Sequence, residues 1–163
     1  MRCWTPWPGA LAGRVVVARR RSSSSRPVPV AILDSEALSV LANPRERGAS
    51  ARRAQAVLEA IERRGGAARV PAPVLAEVLR TPARTAAAGR VLRRARVVPT
   101  DRGIAEHAGR LLEGLGLDSC HAVDAFVVAT AASLAYAVIL TEDPDDLRSL
   151  AAHTPGVAVQ ALP

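Results

Sequence analysis

From Val28 onward the chain alternates between two kinds of apolar pattern. Short aliphatic runs at Val28 to Leu33, Arg69 to Pro71, Arg96 to Val98, Ala137 to Leu140 and Val157 to Val159 read as strands, several of them buried on both faces. Between them the apolar spacing lengthens to that of helices. Ala37 to Leu41 predicts a short helix stopped by Asn43-Pro44. Residues 47–63 place Ala51, Ala54, Val57, Leu58 and Ile61 on one face and end at Gly65-Gly66. Val74 to Arg80 predicts a helix, and Thr81-Pro82 opens a second that runs to about Arg94. Another spans Asp101 to about Leu115, with Gly114 and Gly116 at its end. Residues 121–135 form an almost wholly apolar helix, and Thr141 to Asp146 opens one more. Strands alternating with helices predict an α/β fold with a parallel sheet covered on both faces. Ligands of such sheets collect outside the carboxyl ends of the strands.

Composition changes this picture mainly at the N-terminus. Residues 1–27 carry Pro, Gly, four consecutive serines and unopposed arginines, a composition that rarely orders by itself. They are expected to be an extension, disordered or left over from an over-long gene prediction with translation starting near Val28, and residues 28–163 to be the folded domain. Residues 1–29 hold six Arg and no acid, so the remaining 16 Arg and 15 acids leave the rest of the chain at only +1. The high isoelectric point therefore belongs largely to the tail. All 22 basic residues are Arg. Without Lys, a phosphate-binding P-loop and Schiff-base catalysis are excluded. Cys3 and Cys120 make no disulfide framework. No apolar run reaches the ~20 residues that span a bilayer, and Pro6, Pro8 and Gly9 interrupt any signal-peptide core. A soluble cytoplasmic protein without membrane contact is the expectation.

Four acids stand out against this background. Asp124 lies in His121-Ala-Val-Asp-Ala-Phe-Val-Val-Ala-Thr, a helix with almost no polar face. Burying an unpaired carboxylate there costs several kcal/mol, on the order of 2–7 even for a neutral polar group, so a cation, a hydrogen-bond network or a metal is required. Asp34 ends the first strand, and Asp143 follows the fourth and precedes Pro144. Helix capping accounts for each of these equally well. Glu77 sits on a short helix between apolar pairs, where a solvated face with an ion pair to Arg80 is the simplest account. Taken together, these carboxylates come from separate parts of the chain toward one edge of a parallel sheet. Like charges so close cannot all ionise without a counter-charge, and a hard cation such as Mg²⁺ or Mn²⁺ resolves this.

Other motifs are weaker. His107, His121 and His153 are scattered, form no zinc pattern, and read as lone surface histidines. No nucleophile elbow or dinucleotide fingerprint is present. Val78 to Thr100 holds six Arg (80, 84, 90, 93, 94 and 96) and no acid, which reads either as an ordinary solvated helix or as a phosphate-contacting stripe beside Glu77. Trp4, Trp7, Phe126 and Tyr136 are the only aromatics, too few for a base-stacking platform.

The segments Ala31-Ile-Leu-Asp-Ser-Glu-Ala-Leu, Val70-Pro-Ala-Pro-Val-Leu-Ala-Glu, Val123-Asp-Ala-Phe-Val-Val-Ala-Thr-Ala and Ile139-Leu-Thr-Glu-Asp-Pro-Asp-Asp-Leu, in this order and spacing, resemble the PIN domain. Within it, they resemble most the VapC-like toxins of bacterial toxin–antitoxin pairs, over about Val28 to Val159. The resemblance implies a three-layer α/β/α sandwich and an Mg²⁺- or Mn²⁺-dependent endoribonuclease leaving a 5′-phosphate and a 3′-hydroxyl. Asp34, Glu77, Asp124 and Asp143 match the acidic positions that hold the metal. Thr141 matches a recurrent hydroxyl, and Ser35 and Asp146 would support the site. Arg80 and Arg84 would contact RNA. A cognate antitoxin that inserts an Arg or its C-terminal segment into the acidic pocket is implied, as is a homodimer. Two positions depart from the pattern: His121 stands where many relatives carry an acid, and Glu142 where a small polar residue is more usual. The competing expectations are a DNA-directed or structure-specific nuclease of the same fold, and a nucleic-acid-binding module without catalysis.

Overall fold

The computed structural model describes residues 28–163. The expected N-terminal extension, residues 1–27, lies outside the described residues. Five strands form one parallel sheet: β1 (Val30–Leu33), β2 (Ala68–Pro71), β3 (Arg96–Val98), β4 (Ala137–Thr141) and β5 (Val157–Ala161), in the order β3-β2-β1-β4-β5. Seven helices connect them: α1 (Ser35–Ala42), α2 (Gly48–Arg63), α3 (Ala72–Val78), α4 (Pro82–Leu92), α5 (Arg102–Leu115), α6 (Ala122–Ala132) and α7 (Pro144–Ala151). One set, α1 with α2 and α4, packs together, and α5, α6 and α7 form a second set, with α3 touching both α1 and α6. The result is the three-layer α/β/α sandwich that the resemblance implied.

The centre of the sheet is the least polar part. In β1, Ala31, Ile32 and Leu33 are wholly buried, and they pair in register with Val138, Ile139 and Leu140 of β4. Burying each Leu or Ile side chain stabilises the fold by roughly 1.5–3 kcal/mol. α6 contributes Ala125 and the unbroken run Val127 to Ala131 to the same core. The core is built from Ala, Val, Leu and Ile, and the one phenylalanine, Phe126, packs at its margin.

Local chemistry sets the ends of the elements. Thr81 caps α4 by accepting a hydrogen bond from Arg84 N–H, with Pro82 in the first turn. Asp101 caps α5 through Ile104 N–H at 2.9 Å, and Gly116 closes it in the left-handed conformation, φ 64°. α6 stops at Ala132, short of the expected 135, and the Ser133 hydroxyl donates to Thr130 O at 2.7 Å where the chain turns away. β4 runs one residue past the expected Leu140, because Thr141 pairs with Ala161 of β5. None of the described helices is long and apolar enough to cross a membrane.

The turn from α2 into β2 depends on a missing side chain. A Cβ at Gly66 would collide with the Pro29 carbonyl oxygen and lie 2.6 Å from Ile61 Cγ2. Pro29 immediately precedes β1, so this close approach sets where the first two strands begin. Gly66→Ala is expected to lower unfolding free energy by about 1–3 kcal/mol, the usual range for overpacking. A urea denaturation midpoint unchanged from the parent would contradict this.

Candidate metal centre

In a parallel sheet, a helix that follows a strand starts at the carboxyl edge, and so does a helix that leads back into the next strand. Three such helix starts carry acids in this chain. Asp34 follows β1 and is the N-cap of α1; Asp124 lies in the first turn of α6; Asp143 follows β4 and is the N-cap of α7. The exposed amide ends of the helices favour negative charge at these positions. β1 and β4 are neighbours whose connections leave in opposite directions, toward β2 and toward β5, so the crevice lies at a topological switch point.

Asp34 is the buried member, only 5% exposed. Its Oδ1 accepts from Ala37 N–H at 2.7 Å, so the capping account is correct for one oxygen. Capping does not account for the whole carboxylate. Burial drives the Asp34 carboxyl up to about 7, while hydrogen bonds from Thr141 and Ala37 hold it down and the charges of Glu36 and Asp124 push it further up. Thr141 is wholly buried between two acids. Its hydroxyl accepts from Asp143 N–H at 2.9 Å and lies 3.0 Å from Asp143 O, in addition to its bond to Asp34.

Asp124 is the electrostatic hub. It is half-buried, and its carboxyl is raised first by that burial, then by Glu77, Asp146 and Asp143, with His121 acting in the opposite direction. The charges of Glu77 and Asp143 thus reach Asp124, and that of Asp124 reaches Asp34, but among the described residues no three of these four acids bring ligand atoms within 4.8 Å of one another. Glu77, on α3, does not pair with Arg80 as its simplest account required. Asp143 is exposed, and although it occupies the N-cap position its side chain makes no capping bond. Ser35 opens α1 beside Asp34 with its side chain half-buried.

The ion pairs of the described residues engage Glu142, Glu59, Glu62, Glu106, Asp146 and Asp145. None involves Asp34, Glu77, Asp124 or Asp143, although the chain is rich in Arg. The four acids are therefore all hard-oxygen donors, coupled by like charge, partly desolvated, and without an Arg partner among the described residues. That chemistry fits a divalent metal ion with oxygen ligands.

One expectation is corrected here. His121 is not a lone surface histidine: its Nδ1 lies 3.5 Å from Asp146 Oδ2, and His121, Asp124 and Asp146 each bring a potential ligand atom within 4.8 Å of the others. The position of His121 three residues before Asp124, on one helical face, was visible in the sequence; its approach to Asp146 was not. Glu142, the other departure from the family pattern, is paired with Arg47, whose NH1 lies 2.5 Å from its Oε2. Three of the six Arg of the basic stretch have partners within the chain. Arg90 donates to Ala42 O, Arg93 to Gly89 O, and Arg94 pairs with Glu62 at 3.5 Å. Arg80 and Arg84, just beyond α3 and at the start of α4, are exposed and carry no ion pair among the described residues.

The raised Asp34 carboxyl has a signed consequence. Below pH 4 folded and unfolded chains are both protonated at this position, and nothing is lost. As pH rises from about 4 to about 7 the unfolded chain is ionised while folded Asp34 keeps its proton, so stability falls across this window and levels off above it. Asp34→Asn keeps a capping acceptor and removes the charge. In chelated buffer it is expected to melt above the parent at pH 8 and level with it near pH 4. An equal offset at both pH values would contradict this origin.

Comparisons with known proteins follow the same lines. The PIN-domain family model matches residues 31–152. A search of curated proteins finds no match. Among solved structures, a chain of VapBC2 from Rickettsia felis, bound to a DNA fragment from its promoter, superposes with a TM-score of 0.59 at 14% identity, covering 82% of this chain and 99% of that one. VapBC-1 from nontypeable Haemophilus influenzae gives 0.58 at 18% identity, covering 81% and 97%. A toxin–antitoxin complex from Klebsiella pneumoniae gives 0.54 at 23%, covering 78% and 95%. At these identities the likeness is one of fold.

Proposed function

The chain belongs to the PIN-domain family, and from that premise we propose that it is a divalent-metal-dependent endoribonuclease, the toxin of a toxin–antitoxin pair. The observation that carries this reading is the electrostatic coupling of Asp34, Glu77 and Asp143 to Asp124, with no Arg ion-paired to any of the four among the described residues.

In this reading Asp34, Glu77, Asp124 and Asp143 hold Mg²⁺ or Mn²⁺. The bound ion lowers the pKa of a water molecule and offsets the charge that develops on the phosphodiester. Asp34 is the fixed ligand, oriented by Ala37 N–H and by Thr141. Asp124 is placed by the first turn of α6, whose buried body keeps its position rigid. Asp143 is the exposed acid without a capping bond, suited to accept a proton from water on the solvent side. Arg80 and Arg84 lie one to two turns of chain beyond Glu77 and would hold the phosphate backbone of the substrate. Ser35 and Asp146 flank these ligands. The same lack of a cation explains how an antitoxin would inhibit: an inserted Arg would supply the missing positive charge. The fold neighbours are chains of toxin–antitoxin complexes, which supports this partner, and a homodimer is the proposed assembly.

Asp124→Ala is expected to reduce cleavage of single-stranded RNA by at least about 100-fold, the scale of losing one electrostatic stabiliser of a transition state. Circular dichroism of the variant should match the parent. EDTA should have the same effect, and DNA of the same sequence should stay intact. Metal-independent cleavage, or equal cleavage of DNA, would replace this reading with one of its competitors.

The double variant Arg80→Ala/Arg84→Ala should weaken RNA binding uniformly across sequences. Removing two phosphate contacts to a single strand should flatten the dependence of log K on log salt by about 1.4. An unchanged slope would remove these residues from the RNA surface.

A further inference from the structure

His121 ends a short 3-10 turn, Ser119–His121, and occupies the N-cap position of α6 without making a side-chain capping bond. Its ring is therefore not committed to the helix start. Three residues on, Asp124 lies on the same helical face. Asp146 comes from the first turn of α7, which packs against α6. Among the described residues the only charged partner of Asp146 within 4.0 Å is His121, and their 3.5 Å separation is at the outer limit of a hydrogen bond. The three donors thus converge without being locked to one another. Metal–ligand bonds of about 2.1 Å place donor atoms at most ~4.2 Å apart, so a spread within 4.8 Å needs only a small closing movement.

A second group shares the same histidine. Asp118 and Cys120 bring their ligand atoms within 4.8 Å of His121 as well. Asp118 Oδ1, however, already accepts from Cys120 N–H at 2.9 Å, and both residues are exposed. That group lacks the feature that makes Asp124 demand a counter-charge, namely a half-buried position among other acids.

The donor chemistry decides which ion this arrangement suits. Mg²⁺ takes oxygen ligands and rarely an imidazole, whereas first-row transition ions bind imidazole well, with affinity rising from Mn²⁺ toward Cu²⁺. We propose that His121, with Asp124 and Asp146, gives the centre a nitrogen ligand and makes it select a first-row transition ion over Mg²⁺. The proposal rests on the reading that Asp124 helps hold a divalent cation, and it assigns two ligands beyond the four acids, one of them not an oxygen.

The full chain, stripped with a chelator, would be titrated with Mn²⁺ and followed by the electron paramagnetic resonance of the free ion. Pulsed measurements on the bound ion would read coupling to ¹⁴N. The expected result is bound Mn²⁺ with histidine nitrogen coupling that vanishes in His121→Asn, an exchange that retains a good N-cap residue. Mn²⁺ affinity should fall by about tenfold or more in that variant, while Mg²⁺ affinity, measured by competition, changes less than about twofold. Matching thermal melts in chelator would show that the variant is folded. Mn²⁺ that binds without nitrogen coupling, and is lost in Asp124→Asn, would overturn the proposal and leave the cation reading standing. Nitrogen coupling that disappears in Cys120→Ser or Asp118→Asn but persists in Asp124→Asn would overturn it in favour of the exposed group. Absence of any Mn²⁺ binding would overturn both.

Discussion

A carboxylate at the end of a central β-strand faces two opposed demands. β1 must be buried on both faces to hold the sheet together, which removes water from the residue that follows it. The ionised form of Asp34 is then costly unless a positive field or a cation is supplied. The chain supplies part of that field with backbone and hydroxyl donors, from Ala37 and Thr141, and none of it with Arg. The neighbouring acids make the demand greater. The amide ends of α1, α6 and α7, where Asp34, Asp124 and Asp143 sit, add a favourable field for these carboxylates.

Arginine is distributed accordingly. Arg47, Arg94 and Arg102 hold acids away from this edge, and Arg90 and Arg93 serve backbone carbonyls. Arg47 matters most, since it draws Glu142, next in chain to Asp143, into a surface pair. A chain with so many guanidinium groups could have neutralised its acidic crevice easily. That it does so only at Glu142, next door, leaves the crevice open to an external cation, whether a metal or a partner's side chain.

Much of this was legible in the sequence, for reasons that differ by residue. The strands and most helix boundaries followed from apolar period and from Gly and Pro. The argument for Asp124 ran through its apolar helix; the helix is buried as expected, but Asp124 sits at its first turn, half-buried, where α6 emerges from the core. Asp143 before Pro144 resembled an ordinary cap. The pattern could not show that Thr141 would take the Asp143 N–H and that the carboxylate would make no capping bond. His121 was misjudged because its partner Asp146 is distant in sequence and reaches it only through the packing of α6 on α7. Glu77 depended on the family match, and its placement near Asp124 owes to α3 touching α6, a contact no local pattern encodes.

The buried hydroxyl of Thr141 restricts what the position can be. It has one proton and two acceptors within reach, the Asp34 carboxyl and the Asp143 carbonyl, while its oxygen receives the Asp143 amide. Valine would fill the same volume in β4 and remove both roles. Serine would keep the proton but lose the methyl group that fits a wholly buried strand end. Protonated Asp34 can donate a hydrogen bond of its own; ionised Asp34 can only accept one. The charge of Asp34 therefore bears on which acceptor the Thr141 proton favours. One buried hydroxyl thus serves both the acid that ends β1 and the backbone that opens α7.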